Sequence, residues 1–119
     1  MNREIPIGQL ADVLGQELGQ TVRAVKIALF NGVIRDTRVD TGRMRGNWQT
    51  SVGVEAAGEI ERLDPTGVNA MADVSATVTP DGVDYLANNL PYTEKWEQVD
   101  GMVARNVARI ERNIRERVR

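Results

Sequence analysis

Apolar side chains recur every three or four residues near both ends of this chain. Between residues 8 and 35 they form one stripe, made of Leu10, Val13, Leu14, Leu18, Val22, Val25, Leu29, Phe30 and Val33. This spacing is typical of a long amphipathic helix. A second stripe, made of Val103, Val107, Ile110, Ile114 and Val118, predicts an amphipathic C-terminal helix that docks on the core or on the first helix.

The middle of the chain has a different pattern. Apolar and polar residues alternate over residues 47–56 and again from Val83 to Ala87, which predicts two strands. Residues 66–79 fit either a helix or a strand. Pro91 suits the first position of a short helix that runs to Val99, and Asp100 is expected to cap the N-terminus of the last helix.

These elements predict an α+β fold in the order α-β-α-β-α-α. The long N-terminal helix packs on a small antiparallel sheet, and further helices follow, the last of them amphipathic. Because 119 residues suffice for one core but not for two, we expect residues 1–119 to form a single domain.

The amino-acid composition excludes several kinds of functional site. The chain has no cysteine and no histidine, so disulfides, thiolate metal sites and Ser-His arrangements are excluded. We expect no cofactor, no metal and no enzymatic activity. No apolar run approaches the length of a membrane span and Met1 leads directly into a polar segment, so we expect a soluble protein made in the cytoplasm, with no membrane contact.

Charge is distributed unevenly, although the net charge is only −2. From Gly101 to Arg119 there are six arginines and two glutamates, whereas from Ser51 to Asp100 there are two cations and ten acids. The arginines Arg105, Arg109, Arg112 and Arg119 share a helix face roughly opposite the apolar stripe. This division suits head-to-tail self-association, although both regions could equally be ordinary solvated faces.

The segment Val39-Asp40-Thr41-Gly42-Arg43-Met44-Arg45-Gly46-Asn47-Trp48 is the most informative motif. Gly42 permits a positive φ and Asp40 can accept hydrogen bonds from backbone N–H groups, which predicts a tight turn before the first strand. Trp48 is expected in the core. Arg43 and Arg45 have two interpretations: local pairing around the turn, or projection towards a neighbouring subunit or DNA.

A second motif, Asn88-Asn89-Leu90-Pro91-Tyr92, follows about forty residues later. Together the two motifs resemble those of the small neck, head–tail connector and tail-completion proteins of tailed bacteriophages. In that family an apolar helix leads into a P-V-D-T-G-R-x-R-x-N/S-W turn, and a later strand ends in N-N-x-P-Y-A. Here Arg38 and Thr93 replace the usual Pro and Ala, and the family's loop after the aromatic helix is shortened to residues 97–103.

This resemblance implies a structural virion protein and a helix over residues 66–79. Such a protein forms a homo-oligomeric ring at the head–tail junction, contacts portal or adaptor and tail proteins, and lets DNA pass. It would be made in the host cytoplasm. Asp40, Thr41, Gly42, Arg43, Arg45, Trp48, Asn89, Pro91 and Tyr92 are the motif residues that match, and Arg43, Arg45, Tyr92, Trp96, Arg105, Arg109 and Arg112 are the candidate interface residues.

Three alternatives remain at this point. Tyr92 and Trp96, four residues apart, could form a local core pair instead of interface anchors. The arginine-rich C-terminal helix could belong to a small nucleic-acid-binding or regulatory protein. Asp40-Thr41-Gly42 also matches the triplet of aspartic proteases, but the helical ends of this chain conflict with that all-β fold.

Overall fold

The computed structural model describes the backbone of residues 7–117 and the side chains of residues 19–116. Its elements are α1 (Ile7–Asp36), α2 (Arg43–Gly46), β1 (Gln49–Val52), α3 (Val68–Thr77), β2 (Asp84–Ala87), α4 (Thr93–Asp100) and α5 (Met102–Arg117). The predicted α+β class and the long first helix are confirmed. The stripe positions before residue 19, together with Val118 and Arg119, lie outside the side chains described.

The sheet has two antiparallel strands in the described part of the chain, with Gln49 opposite Ala87 and Val52 opposite Asp84. The first strand is shorter than the predicted span of residues 47–56. Gly53 takes a φ of 79°, which turns the chain out of the extended conformation directly after Val52. The alternation at residues 54–56 is therefore not sheet structure.

The ambiguous segment is a helix, as the family resemblance implied. Its N-terminus is capped by Asp64, whose carboxylate accepts hydrogen bonds from the backbone N–H groups of Asn69 (3.3 Å) and Ala70 (2.9 Å). Those N–H groups have no partner within the helix. Ala70 and Val74, one turn apart, are fully buried, so α3 presents its small apolar side chains to the core.

The core lies where α1, α3, the strand entry and the start of α5 meet. Its buried apolar members are Val33, Ile34, Trp48, Ala70, Val74, Val78 and Met102, with Ile27, Leu29, Phe30, Met71 and Leu86 packed against them. The last third of α1 therefore supplies most of the large aliphatic side chains of the core.

Two predictions about the last helices are wrong. Pro91 lies two residues before α4 begins at Thr93, and Asp100 is the last residue of α4, not the cap of α5. Gly101, with a φ of 64°, separates the two helices. The carboxylate of Glu97 does the capping instead, because it accepts hydrogen bonds from the N–H groups of Val103 (2.8 Å) and Ala104 (3.1 Å).

The C-terminal helix packs along α1 as predicted, but through a different face. Met102 and Asn106 are its buried residues, and Asn106 donates to the Asp36 carboxylate at 2.9 Å. Gly32 of α1 leaves the space that Asn106 fills, since a Cβ there would lie 2.2 Å from the Asn106 Oδ1. The described members of the predicted stripe therefore lie beside the packed line, where Val103, Val107 and Ile114 are exposed and Ile110 is half-buried.

Hydrogen bonds from Lys26 hold the turn before β2 against α1. Lys26 Nζ donates to the carbonyl oxygens of Thr79 (2.9 Å) and Gly82 (2.7 Å) and to the carboxylate of Asp84 (2.7 Å). The Asp84 side chain is only 1% exposed. Its burial raises the pKa of the carboxyl, but hydrogen bonds from Lys26 and Thr79 outweigh burial and leave the pKa below its ordinary value.

The lowered pKa of Asp84 predicts that the free energy of unfolding decreases in acid. A carboxyl whose pKa is lowered by folding contributes stability that is complete above its unfolded pKa of about 3.9 and is lost as the pH falls through the folded value. The free-energy difference between wild type and Asp84→Asn, measured by urea unfolding, should therefore be large near neutral pH and shrink below about pH 4.

Asp40→Asn, at an exposed position whose side chain makes no hydrogen bond among the described residues, is the matched control and should change little. An Asp84→Asn difference that is the same near neutral pH and in acid would contradict the contact.

Candidate functional site

The motif turn after α1 is built around Gly42. Its φ is 89°, and a Cβ at this position would lie 2.6 Å from the backbone nitrogen of Pro65. Its carbonyl oxygen accepts hydrogen bonds from the N–H groups of Gly46 (2.9 Å) and Asp64 (3.0 Å). Gly42 is therefore confirmed as the residue that makes the turn, and it also holds the loop before α3 in place.

The prediction for Asp40 is wrong. Among the described residues its exposed side chain makes no hydrogen bond, whereas the hydroxyl of Thr41 accepts from the Arg43 N–H at 3.2 Å. The turn continues into the four-residue helix α2, which the alternation pattern did not predict. Such a short helix has no hydrophobic period long enough to recognise.

Arg45 faces inward, not towards a neighbour. Its guanidinium donates to the carbonyl oxygens of Arg35 (2.8 Å), Thr37 (2.7 and 3.2 Å) and Pro65 (2.6 Å). The Arg35 and Thr37 carbonyls belong to the end of α1, where helix carbonyls lack internal partners. The local interpretation of Arg45 is therefore the one observed, with carbonyls as its partners and not Asp40.

Arg43 and Trp48 differ in burial. Arg43 pairs with Glu59 at 2.9 Å, and both side chains are 42% exposed, so Arg43 remains part of the surface. Trp48 is buried, as predicted, and its indole N–H donates to the Thr37 hydroxyl at 2.8 Å. That hydroxyl in turn donates to the Val33 carbonyl at 2.7 Å, which satisfies the polar atom of the buried ring.

The second motif contacts the first. Asn88 Nδ2 donates to the carbonyl oxygen of Met44 in α2 at 2.7 Å, and its Oδ1 accepts from the Thr93 hydroxyl at 2.8 Å. Asn89 Nδ2 donates to the carbonyl oxygens of Ala56 and Gly58, both at 3.0 Å. Two segments about forty residues apart are therefore joined in one unit, although neither asparagine was assigned a partner from the sequence.

Trp96 is covered by a contact that the sequence did not indicate. The guanidinium of Arg38 lies 3.6 Å from the centroid of its ring and forms two hydrogen bonds with the Asp100 carboxylate, at 2.7 and 2.8 Å. This pairing raises the pKa of Arg38 and lowers that of Asp100. Trp96 is therefore half-buried under Arg38, while Tyr92 stays 37% exposed and Pro91 is exposed.

The arginines of α5 form an exposed row. Arg105 donates only to the Gly101 carbonyl (3.4 Å) and Arg109 to the Asn106 side chain (2.6 Å). Within the described side chains, none of Arg105, Arg109 and Arg112 forms an ion pair with a carboxylate. These three remain the candidate interface residues with the most unused hydrogen-bond donors.

Comparison with known proteins gives no assignment, since no family model, curated protein or solved structure matches this chain. Over residues 7–117, no helix is long and apolar enough to span a bilayer.

The close contact at Gly42 predicts that Gly42→Ala destabilises the protein more than Gly53→Ala does. Gly42 and Gly53 both have positive φ, but a Cβ at Gly53 would meet nothing within 4 Å. Gly53→Ala should therefore cost only backbone strain, about 1 kcal/mol, whereas Gly42→Ala adds a clash with Pro65 and should cost about 2–4 kcal/mol. Equal melting temperatures for the two variants would contradict a close contact between Gly42 and Pro65.

The different partners of Arg45 and Arg43 predict that replacing each with Lys changes the free energy of unfolding by different amounts. Arg45→Lys loses the planar fork that reaches three carbonyl groups and should lower the free energy of unfolding by about 1–3 kcal/mol. Arg43→Lys, two residues away in an exposed pair, should change it by less than about 0.5 kcal/mol. Chemical denaturation of both variants measures the comparison, and a larger loss for Arg43→Lys would overturn it.

Proposed function

We propose that this protein is a structural subunit of a tailed-bacteriophage neck, forming a homo-oligomeric ring that joins the head to the tail. The observation that carries the proposal is the contact between the two family-like motifs, in which Asn88 binds the Met44 carbonyl. If these two segments lay far apart in the structure, the resemblance would rest on two short and unrelated sequence matches. Their contact supports reading them as one inherited structural unit.

The exposed charged residues outside this unit suit assembly of the subunits into a ring. Arg105, Arg109 and Arg112 are exposed on one helix, while Glu55 and Glu61 are exposed on the loop after β1, and this set takes part in no ion pair among the described side chains. Opposite charges on different surfaces favour a head-to-tail contact, and such a contact closes into a ring when its rotation permits.

Within the neck the protein acts by docking. One ring face meets the portal or adaptor, the other meets the tail, and the lumen lets the genome pass, with arginine available for non-specific contact with phosphate. The subunits are made in the host cytoplasm and end at the head–tail junction of the virion. No catalytic step or cofactor is part of this role.

The arginine row provides the test. In the phage that carries the gene, replacing Arg105, Arg109 and Arg112 with Glu should leave the protein folded by circular dichroism but reduce infectious particles at least about tenfold, with unjoined heads and tails visible by electron microscopy. The matched control replaces the same three residues with Lys, which keeps the charge. Normal particle yield from the glutamate variant would contradict the proposal.

A second candidate function rests on the same exposed row. Three arginines without a carboxylate partner could bind the phosphates of a nucleic acid in a regulatory protein. Fluorescence anisotropy with duplex DNA across a salt series distinguishes it, because each phosphate contact adds about 0.9 to the slope of log K against log salt. No binding at about 50 mM salt would exclude this candidate.

A further inference from the structure

The C-terminal helix carries an apolar ridge that the described part of the chain leaves exposed. Val103, Val107 and Ile114 are 36%, 37% and 44% exposed, and Ile110 between them is half-buried. These residues are spaced three or four apart, so they follow one line along α5. An apolar line of this length on an otherwise charged helix is typical of a surface that packs on another helix.

A matching groove lies on the first helix. Gln20, Arg23, Ala24, Ile27, Ala28 and Pro80 line an open concavity of about 680 Å³. Ala24 and Ala28, one turn apart, remain exposed although α5 of the same chain packs against α1. Two alanines at this spacing lower the helix surface, so that the side chains of another helix can approach the backbone closely.

We infer that the ridge of α5 in one copy packs into the α1 groove of a second copy. This inference rests on the proposed ring and names its subunit contact. Because ridge and groove are different surfaces, the contact is head-to-tail, and every subunit offers one of each.

The ridge and the groove are of comparable length, with the ridge about one helical turn longer. From Val103 to Ile114 the ridge spans twelve residues, about 16.5 Å at 1.5 Å per residue, and from Gln20 to Ala28 the groove spans nine residues, about 12 Å. β-branched side chains on the ridge would fill the space above the alanines, which is the arrangement of a ridge packed into a groove.

The charges beside the two surfaces also agree. Asp81 is the residue after Pro80, which lines the groove, and it is exposed without an ion pair among the described side chains. On α5, Arg115 is exposed on the flank between the ridge and the arginine row, and its ion pair with Glu111, the one it forms among the described side chains, is 3.9 Å long. Arginine on the incoming helix therefore finds a carboxylate beside the groove. A second copy fits better than an acidic partner, because four of the six residues that line the groove are apolar and the guanidinium of Arg23, which also lines it, already donates to the carbonyl groups of Ser75 and Val78.

Two variants block one surface each. Val107→Glu with Ile114→Glu places charge on the ridge, and Ala24→Lys with Ala28→Lys fills the groove. All four positions are exposed, so both variants should fold with melting temperatures close to that of the wild type. In native mass spectrometry, wild type should form a closed oligomer, whereas each variant alone should run as a single chain.

Mixing the variants is the decisive step. The groove variant keeps an intact ridge and the ridge variant keeps an intact groove, so a 1:1 mixture should give heterodimers and nothing larger. Val54→Glu with Val83→Glu, which adds the same charge at exposed sites off both surfaces, is the control and should assemble as wild type does.

The outcomes separate this contact from the neck role. Variants that assemble like the wild type, a mixture without heterodimers, or a wild type that remains a single chain would each overturn the inference. If the variants behave as expected but still support normal head–tail joining in phage, the contact stands and the neck function fails. If they assemble normally and the arginine variant blocks joining, the neck function stands and this contact fails.

Discussion

The guanidinium of Arg45 is the interaction on which the rest of the arrangement depends. It binds the carbonyl groups of Arg35 and Thr37 where α1 ends, and that of Pro65 just before α3 begins. A single planar group thereby fixes the direction in which the chain leaves the long helix and the position of the segment that Asp64 caps. Lysine has three donors on one atom and would not span these acceptors.

Much of the fold follows from periodicity. The spacing of apolar residues predicts α1, β2 and the last helix, because each is long enough or regular enough to show its period. The pattern at residues 66–79 does not distinguish helix from strand. What decides it is the Asp64 carboxylate, a cap outside the periodic segment. The early end of β1 depends likewise on one backbone angle at Gly53.

The candidate site is harder to predict from the sequence than the fold is, for a different reason. Gly42 and Trp48 are predicted correctly because their roles are local or follow from size and burial. Arg38 and Arg45 are not, because their partners are backbone carbonyls or a carboxylate up to 62 residues away. Arginine on a turn looks the same in sequence whether it binds its own chain or a neighbour. The helix face that α5 buries depends on Asn106 and Gly32, which are not hydrophobic stripe residues.

We propose that copies of this chain associate head to tail and close into a ring. The long helix carries a largely apolar groove and the last helix an exposed apolar ridge, and in the proposed assembly the arginine row faces away from this contact. Negative-stain electron microscopy of the purified full chain tests this most directly. Class averages are expected to show rings of one diameter with an open centre. Single molecules at concentrations of about 10 µM, or open filaments in place of rings, would contradict it.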